Sequence, residues 1–132
     1  MKKYFVFLAL VLALVFLFCG CKEISSLVAP PTPKANMVLD GEMQRTMTTY
    51  KCPQFTGYVK NIGNAIGYNV MIAITCYSDT SKTTIIDTAN GFPANLGDIG
   101  PGQRAYFEAV AFSLSSHSQI KAYDYKITWL DR

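Results

Sequence analysis

The sequence predicts an all-β domain of about seven short strands, a sandwich or a small barrel, behind an N-terminal membrane-targeting segment. Three observations predict it. Beyond residue 35 the apolar residues recur with period two, not 3.6. The alternating runs are rich in Val, Ile, Thr and Tyr, whose branched or aromatic side chains suit a pleated surface better than a helix. Turn chemistry separates the runs at intervals of roughly ten residues, as in Asp40-Gly41, IGNAIG and IGPGQ.

The chain opens MKKYFVFLALVLALVFLFCGC. Lys2 and Lys3 form a basic head, and Tyr4 to Cys19 carries neither charge nor proline. Sixteen apolar residues match a signal-peptide core and fall short of a membrane-spanning helix. Gly20-Cys21 resembles the end of a prokaryotic lipobox, although Phe18 and Cys19 stand where aliphatic and small residues are usual. Residues 1–20 are therefore expected to be a lipoprotein signal peptide, with Cys21 the lipidated first residue of the mature chain. A diacyl group anchors stably because each buried methylene contributes about 0.8 kcal/mol. An uncleaved anchor and plain secretion are the alternatives. The Cys19/Cys21 pair lacks the further ligands that structural zinc needs.

Residues 21–35 contain Pro30, Pro31 and Pro33. Proline lacks the N–H that a helix or inner strand uses, so this stretch reads as an extended tether. Residues 36–132 are the domain. They hold eight Lys/Arg and eight Asp/Glu, so the net +3 of the chain comes from the leader and tether. A neutral domain offers no basic face for nucleic acid, whose binding rests on phosphate neutralisation.

The strands follow in order. An outer strand is expected from about Glu42 to Tyr50, after the Asp40-Gly41 turn. Gln54 to Asn61 alternates Phe55, Gly57 and Val59 against Thr56, Tyr58 and Lys60. Tyr68 to Tyr77 is the clearest strand. Its core face is Tyr68, Val70, Ile72, Ile74 and Cys76. TTIIDTA, from Thr83, forms a short strand after the polar turn SDTSK. Leu96 to Ile99 makes a brief one. Arg104 to Phe112 turns Ala105, Phe107 and Ala109 one way. In the last strand Tyr123, Tyr125, Ile127 and Trp129 share the expected core face. A barrel of oligonucleotide-binding type is the runner-up and suits the neutral charge poorly.

The stretch GYVKNIGNAIGYNVMIAITCYSDTSK, with LGDIGPGQRAYFEA, resembles the extracytosolic domains known by the FxLYD motif. The matching residues are Gly57, Val59 and Asn61; Val70, Ile72 and Ile74; and Pro101, Gly102, Gln103 and Phe107. Tyr77-Ser78-Asp79 stands where those domains have Tyr-Asp. The resemblance covers about 75 residues. It implies an immunoglobulin-like or fibronectin-like sandwich outside the cytoplasm and implies little about mechanism.

Several residues are candidates for chemistry. Cys52 and Cys76 lie twelve residues either side of Asn64. In an oxidising exterior they are expected to pair, a loop closure worth about 3 kcal/mol; two buried free thiols are the alternative. His117, the only histidine, sits in SLSSHS and reads as a solvated loop residue. No G-x-S-x-G turn accompanies it. Asp79, Asp87 and Asp98 are spread over separate turns and form no calcium loop, so no metal and no cofactor are expected. Tyr50, Tyr58 and Tyr106 fall opposite the expected core rows and are the candidate binding surface. The expected function is that of a non-catalytic binding, scaffold or accessory module, lipid-anchored on the outer face of the plasma membrane or cell envelope. Its expected partners are the bilayer and an envelope protein. A solute-binding or hydrolytic lipoprotein and a structural spacer are the alternatives.

Overall fold

A computed structural model describes residues 32–93 and 97–132. The signal segment, Cys21 and the tether up to residue 31 lie outside the described residues, as does Leu96 of the brief expected strand. Pro33–Arg132 forms one compact unit.

Seven strands build it: β1 (Met37–Leu39), β2 (Gln44–Met47), β3 (Pro53–Asn61), β4 (Tyr68–Tyr77), β5 (Ile85–Gly91), β6 (Arg104–Val110) and β7 (Ala122–Leu130). All pair antiparallel in the order β1–β3–β6–β5–β4–β7, with β2 beside β3 on the same edge as β1. The sheet is continuous but doubles over. Its middle joint is a single residue pair, Gly91 with Ala109. A side chain at Gly91 would put its Cβ 2.7 Å from the Glu108 carbonyl oxygen, so only glycine permits this crossing. The two halves face each other. Phe55 of β3 lies 5.2 Å, ring centre to ring centre, from Tyr123 of β7, at the far end of the strand order. The result is the all-β sandwich that the alternation predicts.

Between the layers, Phe55, Phe107, Val59, Val70, Ile72, Ile74 and Cys76 are fully buried. Each large apolar side chain so placed contributes about 1.5–3 kcal/mol. Gly57 faces Phe107 across β3 and β6, and its missing side chain makes room for that ring.

β4 has the expected bounds, and the inward row from Val70 to Cys76 is wholly buried. Tyr68 departs from it. The ring is half-buried, and the Arg132 guanidinium sits 4.6 Å above it. β2 is shorter than expected and wholly exposed, because the chain leaves it for a tight turn at Thr48–Cys52. There the Thr48 hydroxyl accepts the Cys52 N–H, and Lys51 takes a left-handed φ of 61°. β5 starts and ends two residues later than expected, and β6 stops at Val110, leaving Phe112 exposed. Of the aromatic row in β7, Tyr123, Ile127 and Trp129 pack against the core while Tyr125 is 49% exposed. Ile99 makes a single bridge to Gly67 instead of a strand.

Asn61, at the end of β3, is a buried polar residue with every side-chain bond made. Its Oδ1 accepts the N–H of Asn36 (3.1 Å) and of Gly63 (2.9 Å). Its Nδ2 donates to the carbonyls of Ala65 (2.7 Å) and Ile99 (2.9 Å). One amide thus holds the segment before β1, the β3–β4 connector and the strand-like bridge at Ile99 at one end of the sandwich.

Candidate functional site

The outward side of β3 and β6 carries the site. Alternation sends Ala105, Phe107 and Ala109 inward, so Arg104, Tyr106 and Glu108 project to solvent. On β3, Tyr58 pairs directly with Tyr106, and their rings meet edge to face at 5.4 Å. Such a pair adds about 0.5–1.5 kcal/mol beyond its area. The Arg104 guanidinium lies 4.2 Å over the Tyr58 ring and also bridges to Asp40 at 3.3 Å. The Tyr106 hydroxyl donates to Glu108 (3.2 Å). Beyond them, Phe92 leaves the end of β5 and is 65% exposed. With Asn90, Tyr106 and Glu108 it lines an open groove of about 420 Å³.

Of the three predicted tyrosines, the structure joins Tyr58 and Tyr106 and separates Tyr50. Tyr50 is highly exposed in the β2–β3 turn, before the first residue of β3. Tyr58 is five residues into the same strand, about 16 Å further along. The face count that grouped them assumes an unbroken strand, and the turn at Thr48–Cys52 breaks it. Thr56, on the same outward row as Tyr58 in the expected alternation, is buried. Arg104, Glu108 and Phe92 were missed. Arg104 and Glu108 stand at i−2 and i+2 of Tyr106, so the period-two pattern contained them. Phe92 lies in a segment without periodicity, where no such signal exists.

The expected Cys52–Cys76 disulfide is not formed; both are free thiols. β3 pairs with β1, β2 and β6, whereas β4 pairs with β5 and β7, so the two cysteines do not face one another across a hairpin. Cys52 lies in the exposed turn, its thiol donating to the Tyr50 carbonyl (3.8 Å). Cys76 points into the core. Burial, aided by the nearby Asp87 carboxylate and opposed by Arg45, pushes its thiol up to about 11.

His117 is not a free loop residue. It opens a one-turn 3₁₀ helix, His117–Gln119, capped reciprocally by Ser116 and Gln119. Arg45 donates from Nε to His117 Nδ1 (3.4 Å) and from Nη2 to its carbonyl oxygen (3.1 Å). Arginine cannot accept, so the ring proton sits on Nε2, which donates to the Thr46 carbonyl. Phe55 meets the imidazole edge-on at 5.8 Å. Both ring nitrogens are thus engaged in fastening β2 to the loop before β7, and neither is turned to a serine.

The three aspartates accept backbone N–H groups, Asp79 within its own turn, Asp87 partly and Asp98 wholly from distant segments. Asp79 accepts the N–H groups of Thr83 (3.1 Å) and Thr84 (2.8 Å), which hold its carboxyl below the ordinary range. Asp87 accepts from Thr88 and Ser113, and Asp98 from Asn69. Among the described residues no three metal-ligating side chains gather. A second groove, about 660 Å³ and open, runs between Trp129 and the Lys34–Asn36 segment at the Asn61 end. Compared with family models, curated proteins and solved structures, the chain has no match among them.

Proposed function

We propose that the chain is a lipid-anchored extracytosolic protein whose sandwich acts as a non-catalytic binding module at the cell envelope. The observation that carries this reading is the outward aromatic face: Tyr58 and Tyr106 in mutual contact, with Arg104 stacked on one ring and Phe92 beside the other. Aromatic and arginine side chains dominate the energetics of recognition surfaces, because they bring large contact area at small entropic cost. The Gly20-Cys21 junction and the Pro-rich stretch support the anchor and tether, and the Gly57/Val59/Asn61 and Pro101–Gln103 motifs support kinship with FxLYD-type domains.

In this reading Cys21 carries the lipid and the tether spaces the domain from the bilayer. Confinement near the membrane raises the effective concentration of the aromatic face for neighbouring envelope proteins. The test has two parts. Intact-mass analysis of protein from native membranes should give a chain starting at lipidated Cys21; a chain retaining Met1, or an unmodified Cys21, removes the anchor. Replacing Tyr58 and Tyr106 by alanine should abolish co-purification of a membrane partner while leaving the fold intact. Unchanged co-purification removes the binding face and leaves the spacer alternative.

A further inference from the structure

The groove where β5 meets β6 has a chemistry of its own. Pairing of Gly91 with Ala109 sets Phe92 opposite Glu108 on the outward side, and Tyr106 follows two residues along β6. A carboxylate therefore lies in a groove walled by two exposed aromatic side chains, with the Asn90 amide completing the lining. Glu108 takes the Tyr106 hydroxyl at Oε1. Among the described residues the ion pairs are Arg104 with Asp40 and Lys82 with Asp124, so no cation of the domain neutralises Glu108. The adjacent cation, Arg104, is held by Asp40 and the Tyr58 ring.

We infer that this groove seats an arginine side chain of a partner polypeptide, its guanidinium against Phe92 and Tyr106 and hydrogen-bonded to Glu108. The inference deepens the binding function proposed above and rests on it. An anionic carboxylate and the negative faces of aromatic rings select a cation. Guanidinium fits better than ammonium, because it is planar and weakly hydrated, stacks on rings and donates in a fork to a carboxylate. The same face already displays the interaction within the molecule, in the Arg104 guanidinium 4.2 Å above Tyr58. The groove is open along the sheet surface, which suits a side chain reaching in from an opposing protein.

The experiment is a titration of the isotope-labelled full-length chain in detergent micelles, followed through backbone amide resonances. The probes are N-acetylarginine methylamide, its uncharged citrulline counterpart, the lysine counterpart, and a short peptide with one arginine among neutral residues. The expected result is saturable shifts centred on Asn90, Phe92, Tyr106 and Glu108 with the arginine probe. The citrulline probe should give none, and the lysine probe weaker binding. Glu108→Gln should weaken the arginine probe about tenfold, the scale of one charge-assisted hydrogen bond. Phe92→Ala should weaken it about fivefold. Both positions are exposed, and the amide spectrum of each variant verifies its fold. Absent or non-saturable shifts, or an equal response to citrulline, overturn the inference. Binding of the peptide weaker than that of the free arginine probe overturns the polypeptide source in favour of a small cation. If these probes fail while the Tyr58/Tyr106 replacement still abolishes partner co-purification, the inference falls and the binding function stands.

Discussion

Replacing Asn61 by alanine tests how the end of the sandwich is held. The substitution removes four hydrogen bonds, at 2.7 to 3.1 Å, that tie the residues before β1, the β3–β4 connector and the Ile99 bridge to one side chain. At about 1 kcal/mol net for each bond, the loss is about 4 kcal/mol. The bond to Ile99 is buried; its carbonyl loses one of two donors and keeps the Gly67 N–H at 3.1 Å. The other three are partly buried, and water at the opened end recovers some of their share. A loss of about 3–4 kcal/mol is therefore expected, a large part of the 5–15 kcal/mol that domains typically possess. Asn61→Asp separates the two halves of the network. It keeps the acceptor for Asn36 and Gly63 but turns a carboxylate oxygen toward the Ala65 and Ile99 carbonyls, so at neutral pH it should recover nothing over alanine. The assay is urea unfolding followed by the fluorescence of Trp129, the sole tryptophan, which lines the groove beside Asn36 and Gly63. A loss below about 1 kcal/mol for Asn61→Ala would refute the reasoning, since it would mean that water replaces the amide at no cost.

Other outcomes follow from the same structure. Gly91→Ala should cost about 1–3 kcal/mol, by forcing β5 off β6, because the added Cβ would meet the Glu108 carbonyl oxygen at 2.7 Å; thermal unfolding reads it. Of the two cysteines among the described residues, Cys52 should react with a thiol reagent in the native state at pH 8 and Cys76 only after unfolding. Because the folded-state value of Cys76 is raised from 9.0 to about 11, its neutral form stabilises the fold below pH 9, and that contribution fades as pH climbs from 9 through 11. Relative to Cys76→Val, the loss should reach about 2–3 kcal/mol at the top of that range; parallel stability curves would contradict it. Asp79, held below its ordinary value by the Thr83 and Thr84 amides, stabilises its turn above the unfolded carboxylate value, and the effect is lost as pH falls through the lower folded one. Asp79→Ala should accelerate hydrogen exchange at those two amides and spare the core of β4.

What sequence reasoning could reach depended on whether a signal was local. Val70, Ile72, Ile74 and Cys76 alternate within one strand, and β4 emerged with its bounds correct and its buried row correct except at Tyr68. Tyr58 and Tyr106 fell on one face because each sits inside such a run. Counting faces failed at Tyr50, where a turn resets the parity. It failed again at Cys52 and Cys76, where equal distances from Asn64 suggested a hairpin although the connector passes between layers. The Ser116-x-x-Gln119 spacing is a capping-box signal, readable in advance, that marks the short helix under His117. The grip of Arg45 on that histidine spans 72 residues and has no local trace. Phe92 joins the site through the one-residue joint between β5 and β6, a tertiary event that no period announces.

Site-specific photocrosslinking in native membranes, with a probe at Tyr106 or at Thr88, distinguishes a recognition face from ordinary surface. Tyr106 lies on the aromatic face, and Thr88 is exposed on β5, where it pairs with Thr75 of β4 in the other half of the sheet. A recognition face predicts one defined adduct from position 106 and none from position 88; the arginine groove predicts further that Glu108→Gln weakens that adduct. Equal capture from both positions, or none from 106, would contradict it.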